Sequence, residues 1–236
     1  MLRSKEPNIE QSIRGVLESS TLLNALTDQQ MVALVEHCKL YRCDRGEIIW
    51  QDGSNTQYFG LVGSGFVKMV KSNSNGVDLT LEIMGPGQIF GLLGTIQGSG
   101  CPLTAYGLTD TAYLRISKPA FMEVYNQNIV LKDGIMRRTA VRFHQKLDFM
   151  AKLSSGRAEE RIASVLLILA ESYGVESGNA IRLTVPLTRQ ALGEIAGTTT
   201  ETTIRVLSKW TKDNLVQTDQ HVITICDVER LEDKLV

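Results

Sequence analysis

The sequence predicts an α+β fold with a β-rich first half, a long helix, and a helical second half that ends in a β-hairpin. Short β-rich runs alternate with glycine-rich turns between Tyr41 and Ile116, at about ten residues per repeat, which is typical of closed or sandwich-like antiparallel sheets. Further along, apolar residues recur at heptad spacing over 136–150 and at helical spacing over 187–207. These patterns indicate one long amphipathic helix followed by two short ones.

The composition is that of a folded soluble protein. Of 236 residues, 43% are hydrophobic and 22% are charged. No apolar run reaches the roughly 18 residues of a bilayer span, and the N-terminus lacks an apolar signal core, so we expect a cytoplasmic protein without membrane contact. The four cysteines show no zinc spacing and are expected to be reduced thiols, so no metal site is predicted. A net charge of −1 excludes a simple DNA-coating protein, and DNA contact would need a local basic patch.

The first half is predicted to contain one short helix and a series of strands. Residues 1–20 are polar and are expected to form a partly disordered extension. Within Asn24–Leu40, Thr27 can cap a helix whose apolar residues recur at helical spacing from Met31 to Cys38. Strands are then predicted at Ile48–Trp50, Tyr58–Val62, Gly65–Val70, Val77–Ile83 and Ala112–Ile116, with turns at Asp52–Gly53, Asn75–Gly76 and Gly85–Gly87.

A long helix is predicted from Ile129 to Leu153, after a shorter one that begins near Lys118 with proline at its start. Its apolar positions from Met136 onward are spaced four, three, four and three residues apart, which is the pattern of a coiled-coil seam. We expect this seam to pair with the same helix of a second subunit; the alternative is a helix lying on its own β domain. The predicted dimer-interface residues are Met136, Ala140, Phe143, Leu147 and Met150.

After the long helix, the chain is predicted to bend at Ser154–Gly156, where Ser155 can cap the next helix. That helix is expected to end near Tyr173, and it carries Glu159 and Glu160 in its first turn, where the helix dipole favours carboxylates. The remaining strands are predicted at Ile181–Val185 and in a hairpin of Asn214–Val216 and Val222–Ile225 around Asp219, which would form a wing.

The stretch Leu187–Leu207 has the pattern of a helix-turn-helix. Thr188 and Thr199 are suitable N-caps for two short helices. Gly197 stands where the first helix must end in a residue that tolerates a positive φ. In this motif the second helix enters the major groove of DNA.

The second of these helices carries a pair of side chains suited to reading bases. Glu201 and Arg205 lie four residues apart and therefore share one helix face. A guanidinium can bind guanine O6 and N7, and a carboxylate can accept from cytosine N4. The alternative for such a pair is a surface salt bridge, but within this motif we favour base contact.

The helix-turn-helix closely matches the signature of the Crp–Fnr superfamily of bacterial transcription regulators at Arg189-Gln190, Gly193, Gly197, Glu201-Thr202 and Arg205. The β-rich region also resembles the sensor domain of that superfamily, at Gly46-Glu47, Gly53, Tyr58, Gly63-x-Gly65 and Pro86-Gly87-x-x-x-Gly91. The resemblance implies a cupin-like β-roll of the cyclic-nucleotide-binding type, a winged helix-turn-helix and a homodimer. It also implies a palindromic TGA-like site in double-stranded DNA, with RNA polymerase as a further partner.

On this resemblance, the expected parts are an N-terminal extension at 1–20, a β-roll at 21–126, a dimerisation helix at 127–154 and a DNA-binding domain at 155–236. The expected DNA-binding residues are Arg189, Gln190, Thr199, Thr200, Glu201, Arg205 and Lys209. Arg189, Gln190 and Thr199 would hold phosphates. The chain departs from the family where Thr203 is polar and Ile204 is bulky; if Ile204 points into the groove, it could touch a thymine methyl.

The resemblance leaves the effector of the β-roll unidentified. Cyclic-AMP-binding members have a Gly-Glu-Leu stretch followed by Arg-Ser, where this chain has Gly91-Leu92-Leu93 and Leu103-Thr104. A phosphate in an apolar pocket without a cation costs several kcal/mol, so this mode of binding is not expected. An iron–sulfur cluster is not expected either, because it needs several thiolates and no cysteine precedes Cys38.

Three options for the effector stay open, and no cofactor is predicted. Gln88–Gly94 and Ala163–Leu169 look like the branch that reads 2-oxoglutarate, so Arg137 and Arg142 could bind a small organic anion. A haem with His144 as ligand is a second option, although a lone helical histidine is more often a polar surface group. An apolar effector, or none, is the third. The expected pocket residues are Gly91, Leu92, Leu93, Leu103, Thr104, Arg137 and Arg142.

Two further hypotheses concern chemistry in the β region. Cys101 could be a redox thiol, but an inert thiol is favoured. The rival function is a cupin-like enzyme or a small-molecule-binding β-barrel without DNA function. Cupin catalysis needs a histidine and glutamate metal set, and residues 41–116 contain no histidine. The sequence therefore predicts a regulator and not an enzyme.

Overall fold

The computed structural model describes residues 9–72 and 78–235. Residues 1–8 of the predicted extension lie outside the described residues. So do the predicted Asn75–Gly76 turn and Val77, the first residue of a predicted strand. Helices and antiparallel sheets both occur in the described chain, which confirms the predicted α+β class.

The chain divides into two compact units. The first comprises the chain up to Lys71 together with Leu81–Ala140. The second comprises the short segment that ends at Thr80 together with the chain from Val141 onward. No helix among the described residues is both long and apolar enough to cross a bilayer.

The described helices are α1 (Ile9–Glu18), α2 (Asp28–Val35), α3 (Leu92–Gln97), α4 (Lys118–Gln127), α5 (Ile129–Ser155), α6 (Ala158–Tyr173), α7 (Arg189–Ala196), α8 (Thr200–Lys212) and α9 (Val228–Glu232), with short 3-10 turns at Leu23–Ala25 and Asp233–Leu235. The described strands are β1 (Cys38–Cys43), β2 (Ile48–Trp50), β3 (Tyr58–Ser64), β4 (Val67–Ser72), β5 (Asp78–Met84), β6 (Ile89–Phe90), β7 (Thr104–Gly107), β8 (Thr111–Ser117), β9 (Gly174–Ser177), β10 (Ala180–Leu183), β11 (Val216–Asp219) and β12 (Val222–Ile225).

Within the described residues, strands β1 to β8 form two four-stranded sheets, with the orders β1-β8-β3-β6 and β2-β7-β4-β5. Every described strand pair in them is antiparallel, as in β1 with β8, β3 with β8 and β2 with β7. One buried cluster draws side chains from both sheets. The result is the predicted β-roll, with strand β1, the short strands β6 and β7 and helix α3 in addition to the predicted elements.

Aromatic rings fill the interior of the roll. The rings of Trp50 and Phe90 stack with centroids 5.0 Å apart, and Phe90 also packs on Tyr113 at 5.8 Å. All three side chains are buried, with at most 5% of each residue exposed. Gly60 lies beside them, and a Cβ there would collide with the Phe90 ring. The interior of the roll is therefore a packed aromatic core.

A second buried cluster lies between the helices of the first unit and the other face of the β1–β8–β3 sheet. Helix α1 contributes Ile13 and Leu17, so the expected disorder of 1–20 is wrong for residues 9–18. Four-residue spacing of these two apolar residues is the helical signal that the polar composition obscured. The predicted place of Cys38 in the helix capped by Thr27 is also wrong, because that helix ends at Val35 and Cys38 begins β1.

Helix α5 runs two residues further than predicted and ends at Ser155. The break before α6 falls at Gly156–Arg157, and the N-cap of α6 is Arg157, which makes no side-chain capping bond. The predicted cap at Ser155 is therefore wrong, because that residue still has helical backbone. Arginine at an N-cap leaves the first amides of α6 without the usual side-chain acceptor.

A stripe of apolar side chains on α5 is open to solvent. Met136 is 69% exposed, Phe143 59%, Leu147 46% and Met150 62%, and Ala140 between them is exposed as well. These are the residues of the predicted seam. Large apolar side chains that recur on one helix face and remain exposed typically mark a surface for another chain.

The second unit has a core shared by α6, α7, α8 and the sheet of order β11-β12-β10-β9. Leu166, Leu192, Leu207 and Trp210 are fully buried in it. The wing hairpin is present, but its first strand, β11, runs from Val216 to Asp219 and not over the predicted Asn214–Val216. The turn falls at Gln220–His221, both with positive φ, directly after Asp219. Strand β9, which follows α6 directly, was not predicted.

Candidate nucleic-acid interface

The predicted helix-turn-helix is present with both of its predicted caps. The Thr188 hydroxyl accepts from the Ala191 amide at 3.0 Å and opens α7. The Thr199 hydroxyl accepts from the Thr202 amide at 3.2 Å and opens α8. Between them Gly197 has a φ of 59°, in the left-handed region that ends the first helix. Helix α8 extends to Lys212, five residues beyond the predicted stretch.

The two helices approach closely because of Gly193 and Thr203. A Cβ on Gly193 would lie 3.0 Å from both the Thr198 carbonyl oxygen and Thr203 Oγ1. Thr203 is fully buried, and its hydroxyl donates to the Thr199 carbonyl at 3.0 Å. The hydroxyl of Thr203 therefore has its hydrogen-bond acceptor within the motif. The small side chain also fits beside Gly193, where a longer one would separate the two helices.

Helix α8 turns one polar face to solvent. Glu201 and Arg205 are both exposed, and within the described residues no ion pair joins them. Hydrogen bonds from its own backbone N–H and from the Thr199 hydroxyl lower the pKa of Glu201. Its carboxylate is thus ionised at neutral pH and can only accept hydrogen bonds. Both groups are available to a ligand, as direct base reading requires.

The expected phosphate-binding residues have different surroundings. Arg189 is half-buried, and that burial lowers the pKa of its guanidinium. Gln190 is exposed and donates to Glu194 at 3.0 Å. Lys209 donates to Glu159 at 3.0 Å. A phosphate contact by Gln190 or Lys209 would have to compete with these carboxylates, whereas Thr199 and Thr200 lie at the α8 N-terminus, which itself favours anions.

Glu159 joins α6 to α8 through two hydrogen bonds. Its Oε1 accepts from the indole Nε1 of Trp210 at 2.9 Å as well as from Lys209. The sequence placed Glu159 in the first turn of α6 but gave no partner for it. The indole is fully buried, so this bond satisfies a donor that would otherwise be costly.

Arg161 is a positioning residue that the sequence patterns did not reveal. Its Nε donates to the Ala196 carbonyl at 2.9 Å and its Nη2 to the Gly197 carbonyl at 3.2 Å. Its Nη1 donates to the Gly156 carbonyl at 2.8 Å. One guanidinium thus joins the break before α6 to the turn of the helix-turn-helix, and it provides donors for carbonyls at the end of α7 that a helix cannot satisfy by itself.

We expect Arg161→Met to loosen this turn. Replacing charge-assisted bonds to three carbonyls by an aliphatic chain of similar length should cost about 2 kcal/mol of local stability. Hydrogen exchange of the full chain should then be roughly thirty-fold faster at Thr198 and Thr199. Arg157→Met is the matched control, because Arg157 is exposed and makes no capping bond. Equal exchange in both variants would contradict the positioning role.

The residues expected to bind an effector have different surroundings. Leu92 belongs to the helix-side cluster, and Leu93 is 53% exposed. Gly91 lies against Trp50, and a Cβ on it would come within 2.7 Å of the indole. The Leu103 carbonyl accepts from the Trp50 indole at 3.2 Å. Trp50 therefore contacts two of the residues that the resemblance aligns with nucleotide contacts, Gly91 and Leu103.

The remaining candidate groups lie in separate parts of the chain. The Thr104 hydroxyl accepts from the Asp52 amide at 3.0 Å. On α5, Arg137 and His144 are exposed and Arg142 is half-buried. Cys101 is 5% exposed, and burial raises the pKa of its thiol, which favours an inert thiol over a redox one. The described residues contain no group of three or more histidine, cysteine or acidic side chains able to hold a metal ion.

Comparisons with known proteins agree with this architecture. Residues 22–128 match the cyclic nucleotide-binding domain family, and residues 160–234 match the Crp-like helix-turn-helix domain family. The chain is 23% identical to a CRP-like cAMP-activated global transcriptional regulator of Mycobacterium tuberculosis, over 92% of this chain and 96% of the relative. It is 28% identical to the transcriptional regulatory protein btr of Bordetella pertussis, over 81% and 78%. In fold it resembles FixK2 of Bradyrhizobium japonicum, with a TM-score of 0.75, 21% identity, and 84% of this chain and 98% of that chain covered.

Proposed function

The chain belongs to the Crp–Fnr superfamily of bacterial transcription regulators, and from this premise we propose that it acts as a homodimer on a palindromic DNA site. It is a DNA-binding regulator and not an enzyme. The observation that carries the proposal is the exposure of both Glu201 and Arg205 on the capped helix α8.

Base recognition would come from these two side chains. Arg205 offers a planar fork to guanine O6 and N7, and Glu201 accepts from cytosine N4 on the partner strand. This pairing fits a TGA-like half-site. Thr199, Thr200 and Arg189 would contact phosphates, which fixes the position of the helix in the groove without reading sequence.

Two-fold symmetry would come from α5. Paired seams of Met136, Ala140, Phe143, Leu147 and Met150 would remove the exposed stripe from water and place two copies of α8 on one face of the duplex. Half-sites would then be about one helical turn apart. The proposal includes the division of the chain into an extension (1–20), a β-roll (21–126), a dimerisation helix (127–154) and a DNA-binding domain (155–236). It also includes contact with RNA polymerase.

We infer that the roll does not take a cyclic nucleotide in the manner usual for its family. Trp50 occupies the space beside Gly91 and Leu103, so a nucleotide there would have to displace a ring stacked on Phe90. Arg115 stacks on the Tyr41 and Tyr58 rings and donates to the Tyr113 hydroxyl at 2.8 Å. The Nε and Nη2 groups of Arg115, which could otherwise bind two phosphate oxygens, both donate to this hydroxyl, and this argues against a phosphate site. A small anion at Arg137 or Arg142, an apolar ligand and haem through His144 stay open.

Fluorescence anisotropy of the full chain with a labelled duplex tests the function. A palindromic TGA-containing duplex should bind at least about 10³-fold more tightly than a scrambled duplex of the same composition. The affinity should also fall steeply as salt rises, because phosphate contacts release counterions. Equal affinity for the two duplexes would contradict sequence-specific DNA binding, and would favour a small-molecule-binding protein without DNA function.

A further inference from the structure

Ile204 is an exposed aliphatic side chain on the polar face of α8. It is 47% exposed, whereas Val206, Leu207 and Trp210 of the same helix are at most 8% exposed. The fold of the second unit thus does not use the Ile204 side chain for its core. Exposing a β-branched aliphatic on a helix has no benefit for helix propensity, since branched residues are weaker helix formers than alanine or lysine.

The position of Ile204 relates it to the proposed base-reading pair. It lies three residues after Glu201 and directly before Arg205, so its side chain stands on the same side of the helix, one turn from the carboxylate. Thr203, the neighbour on the other side, points into the helix-turn-helix core instead. Any surface that receives Glu201 and Arg205 must therefore also receive Ile204.

We propose that Ile204 reads the 5-methyl group of a thymine in each half-site. The edges of bases in the major groove offer hydrogen-bonding groups and one apolar group, the thymine methyl. An aliphatic side chain can complement only the methyl, and against any other base it would cover polar atoms without bonding them. The inference rests on the proposed DNA-binding function and adds a base that neither Glu201 nor Arg205 can specify.

The size of the effect depends on the burial of one methyl group. Losing that burial corresponds to about four-fold in affinity for one half-site and about fifteen-fold for two. Methyl burial is independent of charge. The effect should therefore persist as salt is raised, unlike the phosphate contribution.

The test uses the full chain and a duplex selected by it from a random pool. Each thymine of the half-site is replaced in turn by deoxyuridine, which removes the methyl and keeps every hydrogen-bonding group. For the wild-type chain, one symmetric replacement should weaken binding about fifteen-fold. For Ile204→Ala the same replacement should change the affinity less than about two-fold, while Ile204→Val should retain most of the sensitivity.

The control variant is Ile168→Ala, which removes an aliphatic side chain that is 39% exposed on a different helix, α6. It should bind both forms of the duplex as the wild type does. Two results would overturn the Ile204 role: a wild type that binds the selected duplex specifically but tolerates deoxyuridine at every position, or an Ile204→Ala variant that keeps the full sensitivity to deoxyuridine. Neither result would bear on base reading by Arg205. If no duplex is selected at all, the proposed function itself fails, and the Ile204 role with it.

Discussion

Arg205→Ala is expected to weaken specific DNA binding by about 1–3 kcal/mol per half-site, which is roughly five- to 150-fold, and to do so at one base position. The reason is geometric. Arg205 is exposed and makes no ion pair with Glu201 in the described residues, so its fork is available to a guanine. Removing it leaves the guanine O6 and N7 without donors in a surface that excludes water.

The measurement is a set of affinities for duplexes that carry each base at the guanine position. The wild type should prefer guanine, and Arg205→Ala should bind all four bases about equally at that position only. Arg205→Lys keeps the charge but loses the planar fork, so it should recover affinity without recovering the preference. Lys212→Ala, at the exposed end of the same helix, controls for loss of charge. A uniform loss across all sequences with Arg205→Ala would mean that the arginine contacts phosphate.

The helix-turn-helix could be predicted closely because its signals are local. Thr188, Gly197 and Thr199 each fix the backbone within a few residues, and each has the predicted geometry in the structure. A threonine cap or a left-handed glycine acts through neighbours in the chain, so its effect can be read without knowing the rest of the fold. The spacing of Glu201 and Arg205 places them on one exposed face for the same reason.

The parts that were missed depend on contacts between distant residues. Arg161 bonds carbonyls 35 and 36 residues away, and nothing in its own neighbourhood indicates this. Trp50 packs against Gly91, and its indole donates to the Leu103 carbonyl, 53 residues away in the sequence; no local pattern indicates either contact. In the short strand β6, Phe90 stacks on Trp50 and pairs with Gly60 of β3, and both partners are at least thirty residues away in the sequence. Alignment with a family locates Gly91 and Leu103, but it does not show that Trp50, from strand β2, packs beside them.

The double variant Phe143→Glu with Leu147→Glu is expected to convert the protein to a monomer and to reduce affinity for the palindrome by at least about 100-fold. The two side chains are 59% and 46% exposed, so the change should leave the core intact. In a paired seam, however, the double variant would bring four carboxylates together at an interface that excludes water, and their repulsion and desolvation would separate the helices. Two linked half-sites bind together because the second is held at high effective concentration, and a monomer loses that advantage.

The native mass and the affinity must be measured on the same samples. Gln145→Glu is the control, because it adds a carboxylate at an exposed position of α5 that lies outside the heptad seam. It should stay a dimer with unchanged affinity. If the double variant also stayed a dimer, the subunits would pair through another surface, and the exposed stripe of α5 would need a different partner. If it became a monomer yet bound the palindrome as tightly as before, each helix-turn-helix would act alone, and the symmetric arrangement of two α8 helices would be wrong.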